Sequence, residues 1–128
     1  MEQGIILDAY VQVRRIYNLL TEVQDLTVQA AQSLDRNDPV SVQMLIAMRE
    51  EPLRKMAQAR ENLLQQLESL HEEDSVPLRA ILNGGKAQTP EETRLAEQVA
   101  MNSRLLRQVQ TLDCQVNRKI TQDKSIYN

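Results

Sequence analysis

Histidine and cysteine, two residue types that carry much of protein chemistry, occur once each in this chain of 128 residues, as His71 and Cys114. Glu68 precedes His71 by three positions, which matches the Glu-x-x-His unit that binds metal in di-iron helical bundles. Such a site requires the unit on two helices and two further glutamates, so only a symmetric dimer would supply both copies. We interpret His71 as an ordinary polar residue near a helix end, and we expect no metal and no cofactor.

Cys114 lies two positions from both Leu112 and Val116, which places it roughly 160–200° away from them around a helix and off the apolar seam. A reactive thiol needs a nearby cation or a helix N-terminus, whereas Cys114 lies deep within a predicted helix, so we expect an inert thiol. Gly84-Gly85-Lys86 lacks the spacing of a phosphate-binding loop and predicts a surface turn. With one histidine and one cysteine, the chain lacks the residues that most catalytic sites require. The sequence therefore predicts a protein that is not an enzyme.

The charge and composition of the chain weaken further classes of function. The net charge is −3 and aromatic residues make up 2% of the chain, so neither a basic patch nor a stacking surface for nucleic acid is expected. The longest apolar opening, Ile5-Ile6-Leu7, is far shorter than a membrane span, which predicts no membrane insertion. A single cysteine forms no internal disulfide, and a cytoplasmic location is the expectation.

Fold class follows from the scarcity of residues that turns and strands require. The chain has 3 Gly, 4 Pro and neither Trp nor Phe, which favours an all-α protein over a β-sandwich or barrel. We predict helices over about 5–35, 39–73, 76–82 and 90–122. Because short connections make neighbouring helices antiparallel, the expected fold is an elongated antiparallel three-helix bundle with a short extra helix before the third, forming one domain over residues 1–128.

Apolar periodicity and helix caps support these segments. The first helix has a seam at alternating spacings of three and four, formed by Ile6, Ala9, Val13, Ile16, Leu20, Val23, Thr27, Ala30 and Leu34. Asp38 before Pro39 predicts the start of the second helix, and Thr89-Pro90-Glu91-Glu92 is a capping box that predicts the start of the last.

Two positions leave the course of the second helix open. Pro52 removes a backbone donor, which predicts either a kink or two abutting helices. Glu72-Glu73-Asp74 places negative charge where the C-terminal end of a helix dipole is already negative, so we expect the second helix to end there.

The segment 40–48 is apolar around most of a helix circumference, which indicates either a core helix covered on several sides or a partly exposed partner-binding face. In the last helix, Asn102 and Asp113 interrupt the seam, unless Leu105 and Leu112 carry the stripe and the polar groups lie at its edge. We expect a partly open groove that binds an amphipathic helix of a protein partner, or a second copy of the chain in a homodimer. The candidate partner-binding residues are Val42, Leu45, Met48, Leu105, Val109 and Leu112.

The segment Leu19-Leu20-Thr21-Glu22-Val23-Gln24-Asp25-Leu26 resembles the Leu-Leu-x-Glu-x-x-x-Leu run of FlgN/FliT-type flagellar export chaperones. In the second helix, Leu45, Arg49, Leu53 and Met56 stand where that family has apolar, basic and further apolar residues. The resemblance covers roughly the first 70 residues and implies a small cytoplasmic chaperone that holds hook-associated or filament-cap subunits before type III export. The alternative is a self-associating helical structural or adaptor protein.

Overall fold

The computed structural model describes the backbone of residues 1–126 and the side chains of residues 1–122. The helices, in chain order, are α1 (Gln3–Asp35), α2 (Pro39–Met48), α3 (Glu50–Ser69), α4 (Glu72–Leu82) and α5 (Pro90–Ile126). Residues 1–126 contain no strand, so the predicted all-α class is confirmed.

Helix α1 is the central element, and its predicted seam is the face that it buries. Buried side chains on α1 include Ile6, Ala9, Val13, Leu20, Val23, Thr27 and Ala30, while Ile16 and Leu34 are half-buried. This face packs extensively against α5, α3 and α2. The period of 3.6 residues therefore located the core side of the helix correctly.

Helices α1 and α5 run parallel in constant register. Hydrogen bonds join their side chains along nearly the whole length, and three of the pairs are 84 positions apart in sequence. The bonded pairs are Gln3 with Glu91 (3.1 Å), Arg14 with Gln98 (3.2 Å), Gln24 with Gln108 (3.4 Å) and Asp35 with Lys119. The offset of 84 that recurs from Arg14 to Asp35 keeps the two helices in one parallel register, and their contact is the most extensive between helices in the described chain.

The helix predicted over 39–73 is divided at Arg49, where α2 ends and α3 begins. Pro52 has no N–H to donate to the carbonyl of Met48, so the helical ladder is interrupted there. The alternative of two abutting helices is thus the correct one, with buried Pro52 in the first turn of α3. The predicted start at Pro39 is confirmed, because the Ser41 N–H donates to Asp38 Oδ1 at 3.1 Å.

Glu72, Glu73 and Asp74 form the first turn of α4, so the prediction that they end the preceding helix is wrong. Helix α3 already ends at Ser69, and α4 begins four residues before the predicted position 76. Carboxylates are unfavourable at a helix C-terminus and favourable at an N-terminus, so the same three residues stabilise the next helix instead.

The structure differs from a simple three-helix bundle because the short helix α4 also contributes to the core. Helix α4 packs on both α3 and α5, while those two helices lack a comparably extended contact with each other within the described chain. The side chains of Leu78 and Ile81 are fully buried in one cluster with residues of three other helices, namely Ile6, Ala9, Val13, Leu67 and Leu95. Helix α4 therefore fills the space between α3 and α5 beside the N-terminal half of α1.

Candidate protein-binding groove

The residues first considered for chemistry are dispersed on the surface. His71 is exposed in the connection between α3 and α4, Glu68 is exposed on α3, and Cys114 is an exposed free thiol on α5. The part of the chain that the structure describes contains no cluster of three or more His, Cys, Asp or Glu side chains arranged to hold a metal ion. These residues thus do not form a common site.

The six candidate partner-binding residues fall into two separate regions. On α2, Val42 and Leu45 are buried, and Leu45 packs with Leu26 and Ala30 of α1. On α5, Leu105 and Val109 are buried together with Leu20, Val23 and Met56. Only Met48, at 52% exposure, and the half-buried Leu112 reach the surface. The expectation that these residues of two helices line one partly open groove is therefore corrected: four of them are buried in the core.

An open apolar groove lies between α3 and α5, at a place that the sequence did not predict. We call it the central groove. Helix α1 supplies the floor, with Val13, Ile16 and Leu20. The wall on α3 consists of Met56, Arg60 and Leu63, the wall on α5 consists of Val99, Asn102, Ser103 and Leu106, and Leu82 of α4 closes one end. Leu106 is 38% exposed and Ile16, Leu63 and Val99 are half-buried, whereas Val13, Leu20 and Met56 at the base of the groove are buried.

The α4 end of the groove is fixed by a tight helix terminus. The Gly84 N–H donates to Ile81 O at 3.0 Å, and the Gly85 N–H donates to Ala80 O at 2.7 Å. Gly84 has a φ of 91°, a conformation that glycine adopts without the steric cost of a Cβ. At Gly85, a Cβ would lie 2.7 Å from the Ala80 carbonyl oxygen. These glycines end α4 and leave the rest of the space between α3 and α5 unfilled.

A polar junction joins α1, α5 and the break between α2 and α3, outside the residues that line the groove. Arg49, at the break between α2 and α3, donates through Nη1 to Asp113 Oδ1 of α5 at 2.7 Å and to Thr27 Oγ1 of α1 at 3.2 Å. The buried Thr27 hydroxyl donates in turn to the Val23 carbonyl at 2.7 Å. With the Arg49 side chain only 16% exposed, this ion pair is partly desolvated, and together with Thr27 it links α1, α5 and the α2–α3 break.

The open length of the groove follows from residue numbers on its two walls. Seven positions separate Met56 from Leu63 along α3, and seven separate Val99 from Leu106 along α5. At 1.5 Å per residue, each wall is about 10 Å long. About two turns of a helix fit that length.

The α5 wall is held against α1 by a buried amide relay. Arg14 Nη1 donates to Gln98 Oε1, Gln98 Nε2 donates to Asn102 Oδ1 at 2.9 Å, and Asn102 Nδ2 donates to the Val13 carbonyl at 2.8 Å. Gln98 is 4% exposed, so its amide would be costly without these partners. Asn102 therefore both lines the groove and fixes the position of the wall.

Arg60 is the only charged residue among those that line the central groove. Its guanidinium has no hydrogen bond or ion pair with any residue that the structure describes. The carboxyl groups whose pKa values depart from ordinary lie elsewhere. Hydrogen bonds from Ser41 lower the pKa of Asp38, and a hydrogen bond from Arg54 lowers the pKa of Glu51. The groove thus has an apolar interior with one unpaired positive charge.

The sequence contains a signal for this groove that was not interpreted as such. The apolar seam of α3, formed by Leu53, Met56, Leu63 and Leu67, includes Arg60 at a position where a leucine would be expected. A cation in an apolar seam marks a boundary between buried and accessible sides. Only the packing of α4 against α3 and α5, however, determines which part of the seam stays open.

A second exposed apolar surface lies on α2. Val40, Met44 and Met48 follow one another at spacings of four and are 75%, 56% and 52% exposed. No residue of α2 is charged. We call this row the α2 face, and it is separate from the residues that line the central groove.

None of the described helices is both long enough and apolar enough to cross a membrane. Comparisons of the chain with protein-family models, with curated proteins and with solved structures give no match.

Proposed function

We propose that this chain is a non-enzymatic protein-binding module whose central groove holds an amphipathic helix of a protein partner. The observation that carries the proposal is the open space between α3 and α5, lined by apolar side chains of α1, α3 and α5. An amphipathic helix buries its apolar stripe in such a groove and keeps its polar face in water.

Helix α4 supports this proposal because it already occupies the neighbouring part of the same space. Leu78 and Ile81, three positions apart, are 0% and 1% exposed between α3, α5 and α1. A partner helix with aliphatic residues at similar spacing would cover Ile16, Leu63 and Leu106 in the same manner. The protein thus contains an example of the type of element that the groove would accept.

The narrower form of the proposal is a cytoplasmic flagellar export chaperone that holds hook-associated or filament-cap subunits before secretion. It depends on the resemblance of residues 19–26 to FlgN/FliT-type chaperones. The terminal helical segment of such a subunit would be the occupant of the central groove.

Self-association is the second candidate function, and the α2 face is the observation that favours it. Three exposed apolar side chains on an uncharged helix form a surface that a second copy could cover. A homodimer formed there would leave the central groove free. Methionine side chains adapt to irregular partner surfaces, which suits Met44 and Met48 to such a contact.

Binding of purified hook-associated and filament-cap subunits from the source organism tests the proposal. We expect Leu106→Glu, in the groove wall, to raise Kd at least tenfold by isothermal titration calorimetry, because a carboxylate would be desolvated on binding. The matched control is Leu7→Glu on α1, where the native side chain is 60% exposed and does not line the groove. We expect the control to bind like the wild type.

Two outcomes would contradict the groove proposal. One is binding that Leu106→Glu leaves unchanged, and the other is no binding of any subunit. Light scattering on the same samples measures self-association. A dimer that Met44→Glu converts to a monomer, together with no subunit binding, would establish the second candidate function instead.

A further inference from the structure

The 5 methionines of this chain differ widely in their access to solvent. Met44 and Met48, both on α2, are 56% and 52% exposed, whereas Met56 on α3 is 8% exposed. Met1 is 39% exposed and Met101 is half-buried. Because an oxidant must reach the sulfur of a thioether to react with it, we expect a peroxide to attack Met44 and Met48 first.

Met44 and Met48 lie one helical turn apart on the α2 face, so their oxidation changes a single surface. Val40 is the remaining member of that row, and no residue of α2 is charged. Oxidation converts a flexible apolar thioether into a polar sulfoxide. Two of the three apolar side chains of the α2 face would therefore become polar.

Different side chains hold α2 on the rest of the protein. Val42 and Leu45 are 5% and 7% exposed, and Leu45 packs with Leu26 and Ala30 of α1. These side chains contain no sulfur and keep their apolar contacts when the methionines of the α2 face are oxidised. Oxidation should therefore change the polarity of the surface and leave the helix in place.

The absence of charge on α2 favours a second copy of the chain as the partner of the α2 face. Two copies of an uncharged helix meet without repulsion between like charges, and the helix offers no ion pair to a charged partner surface. Three side chains supply only part of the roughly 800 Å² per partner that a stable complex buries, so the association would be weak. A weak apolar contact is sensitive to the loss of two of its three side chains.

We propose that Met44 and Met48 form an oxidation switch, through which a peroxide breaks the self-association of the chain at the α2 face. The O–O bond of the peroxide breaks, one oxygen forms the S–O bond of a methionine sulfoxide, and the other leaves as water. The sulfur is thereby oxidised and the peroxide is reduced. This inference rests on the second candidate function, self-association, and adds the chemistry that regulates it.

Treatment with hydrogen peroxide tests the switch in a Cys114→Ser protein, since Cys114 is an exposed free thiol that peroxide would also oxidise. Peptide mass spectrometry measures the sulfoxide at each methionine, and analytical ultracentrifugation measures the Kd of the dimer. We expect Met44 and Met48 to be oxidised at least about fivefold faster than Met56, and the dimer Kd to rise at least about tenfold. Circular dichroism verifies that the oxidised protein is folded.

The matched control, Met44→Leu with Met48→Leu in the same Cys114→Ser protein, keeps the α2 face apolar and removes both sulfurs. It should self-associate equally with and without peroxide. A sulfoxide reductase with dithiothreitol should restore the dimer of the oxidised protein. Equal oxidation rates at Met44 and Met56, or a dimer Kd that oxidation leaves unchanged, would overturn the switch and leave self-association intact. A protein that is monomeric before oxidation would overturn both.

Discussion

At the scale of single residues, the polar side chains within the apolar seams act as cross-links between helices. Thr27 of α1, Asp113 of α5 and Arg49 at the break between α2 and α3 form one junction. Asn102 similarly bonds the backbone of α1 from its place on α5. In sequence these residues only interrupt apolar patterns, whereas in the structure they fix the spacing of the walls around the central groove.

The junction makes Asp113 important for stability. We expect Asp113→Ala to reduce the free energy of unfolding by about 1–3 kcal/mol, because Arg49, with a side chain 16% exposed, would lose its charged partner. Urea unfolding monitored by circular dichroism measures the change. The control, Arg54→Ala, removes an exposed ion pair, and we expect no measurable effect. Equal losses of unfolding free energy in the two variants would show that the Arg49–Asp113 ion pair stabilises the protein no more than an exposed ion pair does.

The N-cap of α2 gives the protein a component of pH dependence. Hydrogen bonds from the Ser41 side chain and backbone lower the pKa of Asp38 in the folded state. A lowered carboxyl pKa stabilises the protein fully above the unfolded pKa of about 4, and this stabilisation is lost as the pH falls through the folded pKa. Urea midpoints of wild type and Asp38→Asn should therefore differ at pH 7 and converge towards pH 2–3. A constant difference across this range would contradict the assignment.

At the scale of helices, the features predictable from sequence were those with a local cause. The seam of α1 and the caps at Asp38 and Thr89 depend on spacing and on nearby donors, and the structure contains them. Residues 72–74 were assigned to the end of the preceding helix, although three carboxylates favour a helix N-terminus; the earlier end of α3 at Ser69 was the feature that the sequence analysis missed. The sequence left open whether Leu45 and Leu105 belong to the core or to a binding surface, because the answer depends on which faces α2 and α5 turn towards α1.

We expect the buried side chains of Leu78 and Ile81 to hold helix α4 in place. We expect Leu78→Ala to cost about 2–5 kcal/mol of unfolding free energy, because the native side chain is 0% exposed and its removal leaves a cavity. Val76→Ala on the same helix, where the side chain is 64% exposed, should change stability by no more than about 0.5 kcal/mol. Thermal or urea unfolding compares the two. If both variants were equally stable, α4 would not be packed as described.

At the scale of the whole molecule, the groove results from a mismatch of lengths. Helices α1 and α5 have 33 and 37 residues, whereas α4 has 11 and fills only part of the space between α3 and α5. Beyond the C-terminal end of α4, the space between α3 and α5 stays partly open and is lined mainly by apolar side chains. The sequence indicated an excess of apolar surface, but its location depended on how far α4 extends along the gap.

Hydrogen–deuterium exchange on the wild-type chain, with and without a saturating hook-associated or filament-cap subunit, tests the central claim most directly. Our account expects slower exchange on both walls of the central groove, in residues 53–64 of α3 and 96–110 of α5, with the exchange of α2 unchanged. Protection confined to residues 40–48, or no protection on either wall, would contradict the claim that the central groove binds a partner helix.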